Sequence, residues 1–216
     1  MQDHYNRIAA GDVGRVAAIS DGVFAFAATV LVLDVHSPEA GEIHSEAQLL
    51  AALAAQGPHW LSWLISLMTL GIFWVGQQTQ LNQIRRADRD FTWVSLLFLA
   101  FVTALPFSTR ILADFFAYRT ALVIYWANIL LCGVGLYATW ACAKSRGLLN
   151  EDSGPETDRA IRRRIEIAQA LYFAGLLLGL IHTVLGVAFI IAVQVNYAVA
   201  PFRSWRSRAG GEAGGG

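Results

Sequence analysis

Long apolar runs alternate with short polar segments over most of this 216-residue chain. Several runs are long enough for a bilayer-spanning helix, which takes about 20 mostly apolar residues. The last run, 165–202, is too long for one such helix, and a turn near 180–186 would divide it into two. Gly57-Pro58 predicts a break in the second run between a short surface helix and a membrane helix. The pattern therefore predicts an all-α protein with six transmembrane helices, at about 16–35, 49–76 or 60–76, 91–113, 121–143 and the two halves of 165–202.

The polar segments between these runs divide the chain into three regions. A polar arm covers 1–14, a six-helix membrane domain covers 15–203, and a Gly-rich tail that we expect to be disordered covers 204–216. Within the membrane domain, the longer polar loops are predicted at 36–48, 77–90 and 144–164, the last with a helical extension near its end.

Composition agrees with an integral membrane protein. Hydrophobic residues make up 56% of the chain and charged residues only 15%, with a mean hydropathy of +0.47. Soluble domains usually carry about 25% charged residues. The net charge is zero, so nothing indicates a nucleic-acid partner.

Basic residues are distributed unevenly between the two sides predicted by six spans. If the N-terminus is cytoplasmic, 14 of the 16 Lys and Arg residues fall in inner segments, and only Arg110 and Arg119 fall in outer ones. This is the asymmetry of the positive-inside rule, so both termini are predicted to be cytoplasmic. Arg162, Arg163 and Arg164 are most simply part of this basic flank, although contact with anionic membrane lipid is also open.

The first span contains two polar residues, Ser20 and Asp21, among apolar ones. A carboxylate inside a spanning helix costs about 2.5–3.5 kcal/mol on insertion scales, so such residues usually face protein or water. Asp21 is therefore either a structural anchor between helices or a direct ion ligand. Arg15, Trp74 and Ser95 are its candidate partners.

On a helical wheel the first span also shows one continuous stripe. Phe26 lies at its centre. With successive residues about 100° apart, the stripe covers about 100° of the helix circumference. Asp21 falls on the opposite side of the wheel, which predicts that it points into the protein. Without further information, the stripe is either ordinary helix-packing surface or the wall of a pore. Its members are Gly22, Phe26, Thr29, Val30 and Leu33.

An ordered set of residues in the first half of the chain resembles the endolysosomal potassium channels, the transmembrane-protein-175 family, and their bacterial relatives. The resemblance covers about 15–113. The chain differs from the family's pattern at Ile19, where relatives have Phe, and at Gln77-Gln78, where relatives often have a His pair. The matching residues are Arg15, Ser20-Asp21, Phe24-Ala25, Thr29, Leu31-Val32-Leu33, Phe73-Trp74, Arg85-Arg86, Asp88-Arg89, Leu105-Pro106-Phe107 and Thr109.

The resemblance implies a homotetramer in a bacterial cell membrane that conducts potassium passively through one central pore. In this family the first helices line the pore, and a bulky apolar residue five positions after the motif Asp forms its narrowest ring. That residue here is Phe26, where relatives usually have Ile or Leu. Arg15, Ser20, Asp21 and Trp74 would anchor the pore helix.

Other functional classes are weakly supported by the sequence. It has no Gly-rich phosphate loop, no Cys/His set with metal spacing and no nucleophile–base pair in the spans, so an enzyme, a cofactor or a resident metal is not expected. The Thr-Val-Gly-Tyr-Gly filter of ordinary potassium channels is also missing. Two alternatives stay open: a proton-coupled or weakly selective cation transporter built on Asp21, and a non-conducting membrane scaffold.

Overall fold

The computed structural model describes residues 11–39, 41 and 43–212, with side chains as far as Tyr197. Within that part of the chain the fold is all-α, which confirms the predicted class. Two isolated backbone bridges, Gly11 to Ala87 and Ile84 to Leu149, join loops at one end of the bundle. The helices are α1 Val13–Val32, α2 Glu46–Ala55, α3 Gly57–Leu81, α4 Arg89–Thr103, α5 Leu105–Asp114, α6 Arg119–Ser145, α7 Pro155–Ile181 and α8 Thr183–Glu212.

Among the described residues, five helical segments are long and apolar enough to cross a membrane. They are α1, α3, the α4–α5 unit, α6 and α7. Thr183–Tyr197, the part of α8 whose side chains are described, is a shorter apolar helix. The α8 backbone continues to Glu212 and so enters the predicted disordered tail; 213–216, like 1–10 of the predicted arm, lie outside the described residues.

Several helices begin earlier in the chain than their apolar runs suggest, because polar side chains cap their first turns. Asp12 caps α1 by accepting a hydrogen bond from the Gly14 N–H at 2.9 Å, so the first helix begins at Val13 and not at about residue 16. Asp88 caps α4 in the same way, accepting from the Phe91 N–H at 2.8 Å. These carboxylates satisfy backbone donors that a helix leaves unpaired at its start.

Two helix breaks follow the chemistry of proline. The predicted break at Gly57-Pro58 is confirmed, because α2 ends at Ala55 and α3 begins at Gly57. Pro106 also interrupts the third span, which is divided at Ala104 into α4 and α5 and is not one continuous helix. Proline lacks the backbone N–H that continues a helix, yet it is tolerated in a first turn, where it stands here.

The predicted turn within 165–202 is confirmed at His182, where α7 gives way to α8. The two helices then run back along each other in close contact. A Cβ on Gly186 would lie 2.5 Å from the Gly179 Cα, so this crossing tolerates no side chain at Gly186.

The predicted loop 77–90 is partly wrong, because α3 continues through Gln77–Gln80 to Leu81. Gln80 is buried and donates to the Leu136 carbonyl at 3.0 Å, while its Oε1 accepts from Thr139 at 2.9 Å. Buried amides that are paired in this way are compatible with a membrane helix. The polar residues suggested that the helix ends at about residue 76, whereas packing lets it continue for about one more turn to Leu81.

The core lies between α1, α3, α4 and α6. Phe98 is fully buried, with its ring 6.1 Å from Phe24 on α1 and 6.4 Å from Phe73 on α3. Among the described residues, this packing leaves one side of α1 exposed.

The two ends of the bundle differ in charge. At one end, here called the basic end, Arg146 pairs with Asp88 and Asp90, and Lys144 and Arg162 pair with Asp158. At the opposite, distal end, His59 contacts Asp114 at 3.0 Å. Four helix ends lie at the basic end: the start of α1, the end of α3, the end of α6 and the start of α7.

Candidate functional site

Helix α1 presents two different faces. Val16, Ser20, Phe24, Ala27 and Leu31 are buried against the rest of the subunit. They recur at three- and four-residue spacing, so they form one face of the helix.

The predicted stripe lies on the exposed side of α1. The side chains of Phe26 and Leu33 are 69% and 70% exposed, Gly22 and Thr29 are also exposed, and Val30 is half-buried. Its members from Gly22 to Leu33 extend about 16 Å along the helix, at about 1.5 Å per residue. An apolar surface of this kind faces either lipid or other protein subunits.

The hydroxyl of Thr29 is held close to the helix. Thr29 Oγ1 donates to the Phe26 carbonyl at 2.7 Å, one turn earlier in α1. Its oxygen keeps a lone pair toward the exposed side, since a hydroxyl has one donor and two acceptor sites. Thr29 thus supplies one polar atom in an otherwise apolar stripe.

Ser20 joins α1 to α3 inside the subunit. Its hydroxyl is fully buried, donates to the Val16 carbonyl at 2.7 Å and accepts from Gln77 Nε2 at 2.9 Å. The second contact is a hydrogen bond between side chains of neighbouring transmembrane helices. Such bonds fix the position of one helix against another.

Asp21 bonds to two neutral donors on α3. Its Oδ1 accepts from Trp74 Nε1 and from Gln78 Nε2, both at 2.8 Å. The prediction that Asp21 points into the protein holds in part, because its carboxylate contacts α3 while the residue is exposed in the single chain. The subunit buries the side of α1 that carries Ser20 and Phe24, and Asp21 lies at the edge of that contact.

The remaining candidate partners of Asp21 lie elsewhere. Arg15 is exposed and forms no ion pair with Asp21 within the described chain. Ser95 is buried and donates to the Phe91 carbonyl of its own helix at 2.8 Å. Trp74 is thus the one candidate among the three that the fold brings to Asp21.

Sequence reasoning missed Gln77 and Gln78 as partners of the Ser20-Asp21 pair. It assigned both glutamines to a loop and noted them only as a departure from the His pair of relatives. A usable signal was present, because Gln78 follows Trp74 by four residues and therefore lies on the same face of a helix.

A shallow groove runs beside the exposed stripe, between α1 and α3. Three small residues, Ala25, Ala28 and Gly71, line part of it, and Asp21 and Trp74 lie in the same lining. Small side chains let another helix approach closely in a membrane. The stripe and the groove together form a broad side of α1 that no described residue covers.

Similarity to known proteins agrees with this arrangement. The family described as endosomal/lysosomal potassium channel TMEM175 matches residues 15–106. A potassium channel of Streptomyces collinus is 32% identical over 166 residues, which cover 75% of this chain and 78% of that protein. A potassium channel of Chamaesiphon minutus is 30% identical over 189 residues, covering 84% of this chain and 92% of that protein.

A solved structure and the animal relatives extend the comparison. The crystal structure of a lysosomal potassium-selective channel TMEM175 homologue from Chamaesiphon minutus superposes with a TM-score of 0.73 at 28% identity, covering 87% of this chain and 97% of that one. The human endosomal/lysosomal proton channel TMEM175 is 37% identical over 97 residues, which are 19% of its length. These relatives are ion channels and not enzymes. The chain is a multi-pass membrane protein that belongs to the TMEM175 family of endosomal/lysosomal potassium channels.

Proposed function

We propose that this chain conducts potassium ions passively through a central pore lined by α1 of four identical subunits. The observation that carries this proposal is the exposed apolar stripe on α1, which the subunit leaves uncovered while it buries the opposite face. Four copies around an axis would place the stripe on the pore and cover the adjoining groove between α1 and α3. The potassium-channel relatives in bacteria support the choice of ion.

Apolar rings would control conduction in such a pore. Phe26 would form the narrowest ring and Leu33 a second one, with the Thr29 hydroxyl between them. A narrow apolar segment excludes water, and moving a cation through it is costly because its hydration is lost. Four Phe rings leave less room than four Ile or Leu side chains, so the resting state would conduct weakly.

The contacts of Ser20 and Asp21 would set the rotation of α1. Gln77 holds Ser20 inside the subunit, and Trp74 and Gln78 hold Asp21 at its edge. A fixed rotation is needed because turning α1 by one residue, about 100°, would remove Phe26 from the axis. Arg15 is exposed near the start of α1, where it could reach a neighbouring subunit.

The charge distribution supports an orientation in the membrane. The basic end carries Arg85, Lys144, Arg146 and Arg162, so the positive-inside rule puts that end in the cytoplasm of a bacterial inner membrane. With α8 as the sixth span, both termini are then cytoplasmic.

Ion flux in proteoliposomes tests the proposal directly. Vesicles loaded with potassium and diluted into sodium should lose potassium down its gradient, without any imposed proton gradient. Empty vesicles prepared in the same way are the control. Absence of flux from a correctly assembled protein would favour a non-conducting scaffold.

A proton-coupled or weakly selective transporter is a second candidate, favoured by one observation. Several animal relatives are named proton channels, and Asp21 is an exposed intramembrane carboxylate on the candidate pore helix. In the same vesicles, a coupled carrier would move potassium only when protons move in exchange. Asp21→Asn would abolish such coupling, whereas a passive channel would keep its flux if it still assembled.

A further inference from the structure

A second apolar groove lies on the other side of α3, where α3 meets α6 and α7. Its walls are formed mainly by Ile72, Phe73, Leu136, Ile161, Ile165 and Ala168. An adjoining groove continues across α3 to α8 and includes Met68, Val75 and Tyr197. Apolar grooves on a membrane protein are suited to acyl chains, which gain close contact there.

Arg164 is shared by the two grooves. Among the described residues that line either groove, Arg164 alone carries a charge at neutral pH. It is exposed and forms no ion pair within the described chain. A lone guanidinium beside apolar walls therefore has its charge available for an anion.

The neighbouring arginines have different surroundings. Arg162 donates to Asp158 at 2.9 Å and to the Tyr137 hydroxyl at 2.8 Å, so its charge is already paired. Arg163 lines a separate surface pocket with Arg159 and Glu166. Successive residues on a helix point about 100° apart, which explains why only Arg164 of the three reaches the grooves.

Arg164 is the last basic residue of α7 before its apolar part, so it is expected near the border between headgroups and acyl chains. It lies about 14 Å from Pro155, the start of α7, at about 1.5 Å per residue. Thr79 and Gln80, in the last turns of α3, line the same groove. The groove thus has its cationic side chain toward the basic end and apolar walls toward the membrane centre. Long basic side chains at this depth extend toward the interface.

We propose that these grooves bind an anionic glycerophospholipid of the leaflet at the basic end, with Arg164 contacting its phosphate and an acyl chain lying against α3 and α7. The charge and the apolar walls select the ligand jointly. A zwitterionic lipid carries the same phosphate, but its cationic headgroup offsets the attraction to Arg164, and free phosphate would keep only the charge. The adjoining groove also reaches Trp74, the donor to Asp21.

Lipid binding to the full-length protein tests this site. Delipidated protein in detergent is titrated with phosphatidylglycerol or with phosphatidylcholine of the same acyl chains, and bound lipid is counted by native mass spectrometry. Phosphatidylglycerol should bind more tightly. Arg164→Gln should weaken its binding about fivefold, the change expected for one basic residue at an anionic membrane surface.

Two further variants separate the site from a general charge effect. Arg163→Gln removes the same charge one residue away, outside the grooves, and should leave the affinity unchanged. Ala168→Trp fills the groove between α3 and α7 and should weaken both lipids, while the protein keeps its oligomeric state. Arg164 is exposed, so its variant should fold normally.

Several results would overturn the proposal. Equal losses from Arg164→Gln and Arg163→Gln would show a diffuse basic surface. Equal affinity of the native protein for the two lipids, or full competition by inorganic phosphate, would contradict a phospholipid site. A change in oligomeric state from Ala168→Trp would show that a second copy of the chain occupies the groove.

Discussion

Trp74 on α3 donates its indole N–H to Asp21 on α1, with 2.8 Å between the nitrogen and Oδ1. The two residues are 53 positions apart in the chain. Gln78 donates to the same oxygen at 2.8 Å, so one carboxylate oxygen receives two neutral donors from one helix face. We infer that this contact fixes the rotation of α1, the candidate pore helix, about its own axis.

Removing the indole donor should loosen α1. Trp74→Phe keeps an aromatic ring but loses the hydrogen bond, and we expect a loss of about 1.5 kcal/mol, as for a bond to a charged group. Thermal unfolding in detergent and tetramer yield should both fall. Trp93→Phe, an exposed tryptophan on α4, is the matched control. A variant with full stability and altered ion preference would instead favour Asp21 as an ion ligand.

Replacing Gln78 by the residue type that relatives often have should make this contact depend on pH. In Gln78→His, a protonated imidazole would form a charged pair with Asp21, whereas a neutral imidazole would keep only a neutral hydrogen bond. The added stability is then present at low pH and is lost as the imidazole gives up its proton over about pH 5–8. Unfolding curves across this range would show it, whereas the native protein should lack this component.

The groove between α1 and α3 should be required for assembly. Ala25→Trp places a bulky side chain in the predicted contact between subunits but disturbs no core packing, because Ala25 is exposed. We expect the tetramer to dissociate while helical content by circular dichroism is unchanged. Ala170→Trp, at an exposed position on α7, is the control. A stable native monomer or dimer would contradict the tetramer itself.

Phe26 should control conduction. Phe26→Ala and Phe26→Asn widen or wet the proposed ring and should raise cation flux. The increase is about tenfold for each 1.4 kcal/mol removed from the conduction barrier. The preference for potassium over sodium should weaken at the same time. Phe26→Ile should behave as its relatives do. Currents and reversal potentials in planar bilayers would report both quantities, with Leu97→Asn on α4 as an exposed control. If Leu33→Asn changes them and Phe26→Asn does not, the constriction lies at Leu33.

Asp34, just after α1 at the distal end, should reduce stability at neutral pH. Burial raises the pKa of its carboxyl above the usual value, and the nearby Arg110 only partly opposes this. The folded state therefore disfavours the charged form, and this penalty disappears as pH falls through the raised pKa. Asp34→Asn should raise the melting temperature at about pH 7 and have little effect near pH 4. Equal effects at both pH values would exclude an ionisation effect.

Local patterns were sufficient for most of the fold. The apolar runs predicted the membrane helices, Gly57-Pro58 predicted the break before α3, and the length of 165–202 required the turn found at His182. These features depend on helix length, proline chemistry and bilayer thickness, which act over a few residues. The exposed stripe on α1 was also visible, because helical periodicity separates Phe26 and Leu33 from the buried Phe24 and Leu31.

The tertiary structure decided which polar groups meet. The sequence contained Asp21, Trp74 and Gln78, but only the packing of α1 on α3 brings them together and turns Asp21 to the edge of the subunit. Likewise, three consecutive arginines were equivalent in the sequence. The positions of α3 and Asp158 decided that Arg162 is paired with Asp158 and that Arg164 lines the groove beside α3. Periodicity reports the direction of a side chain about its own helix axis, whereas its partners depend on how helices distant in sequence are placed.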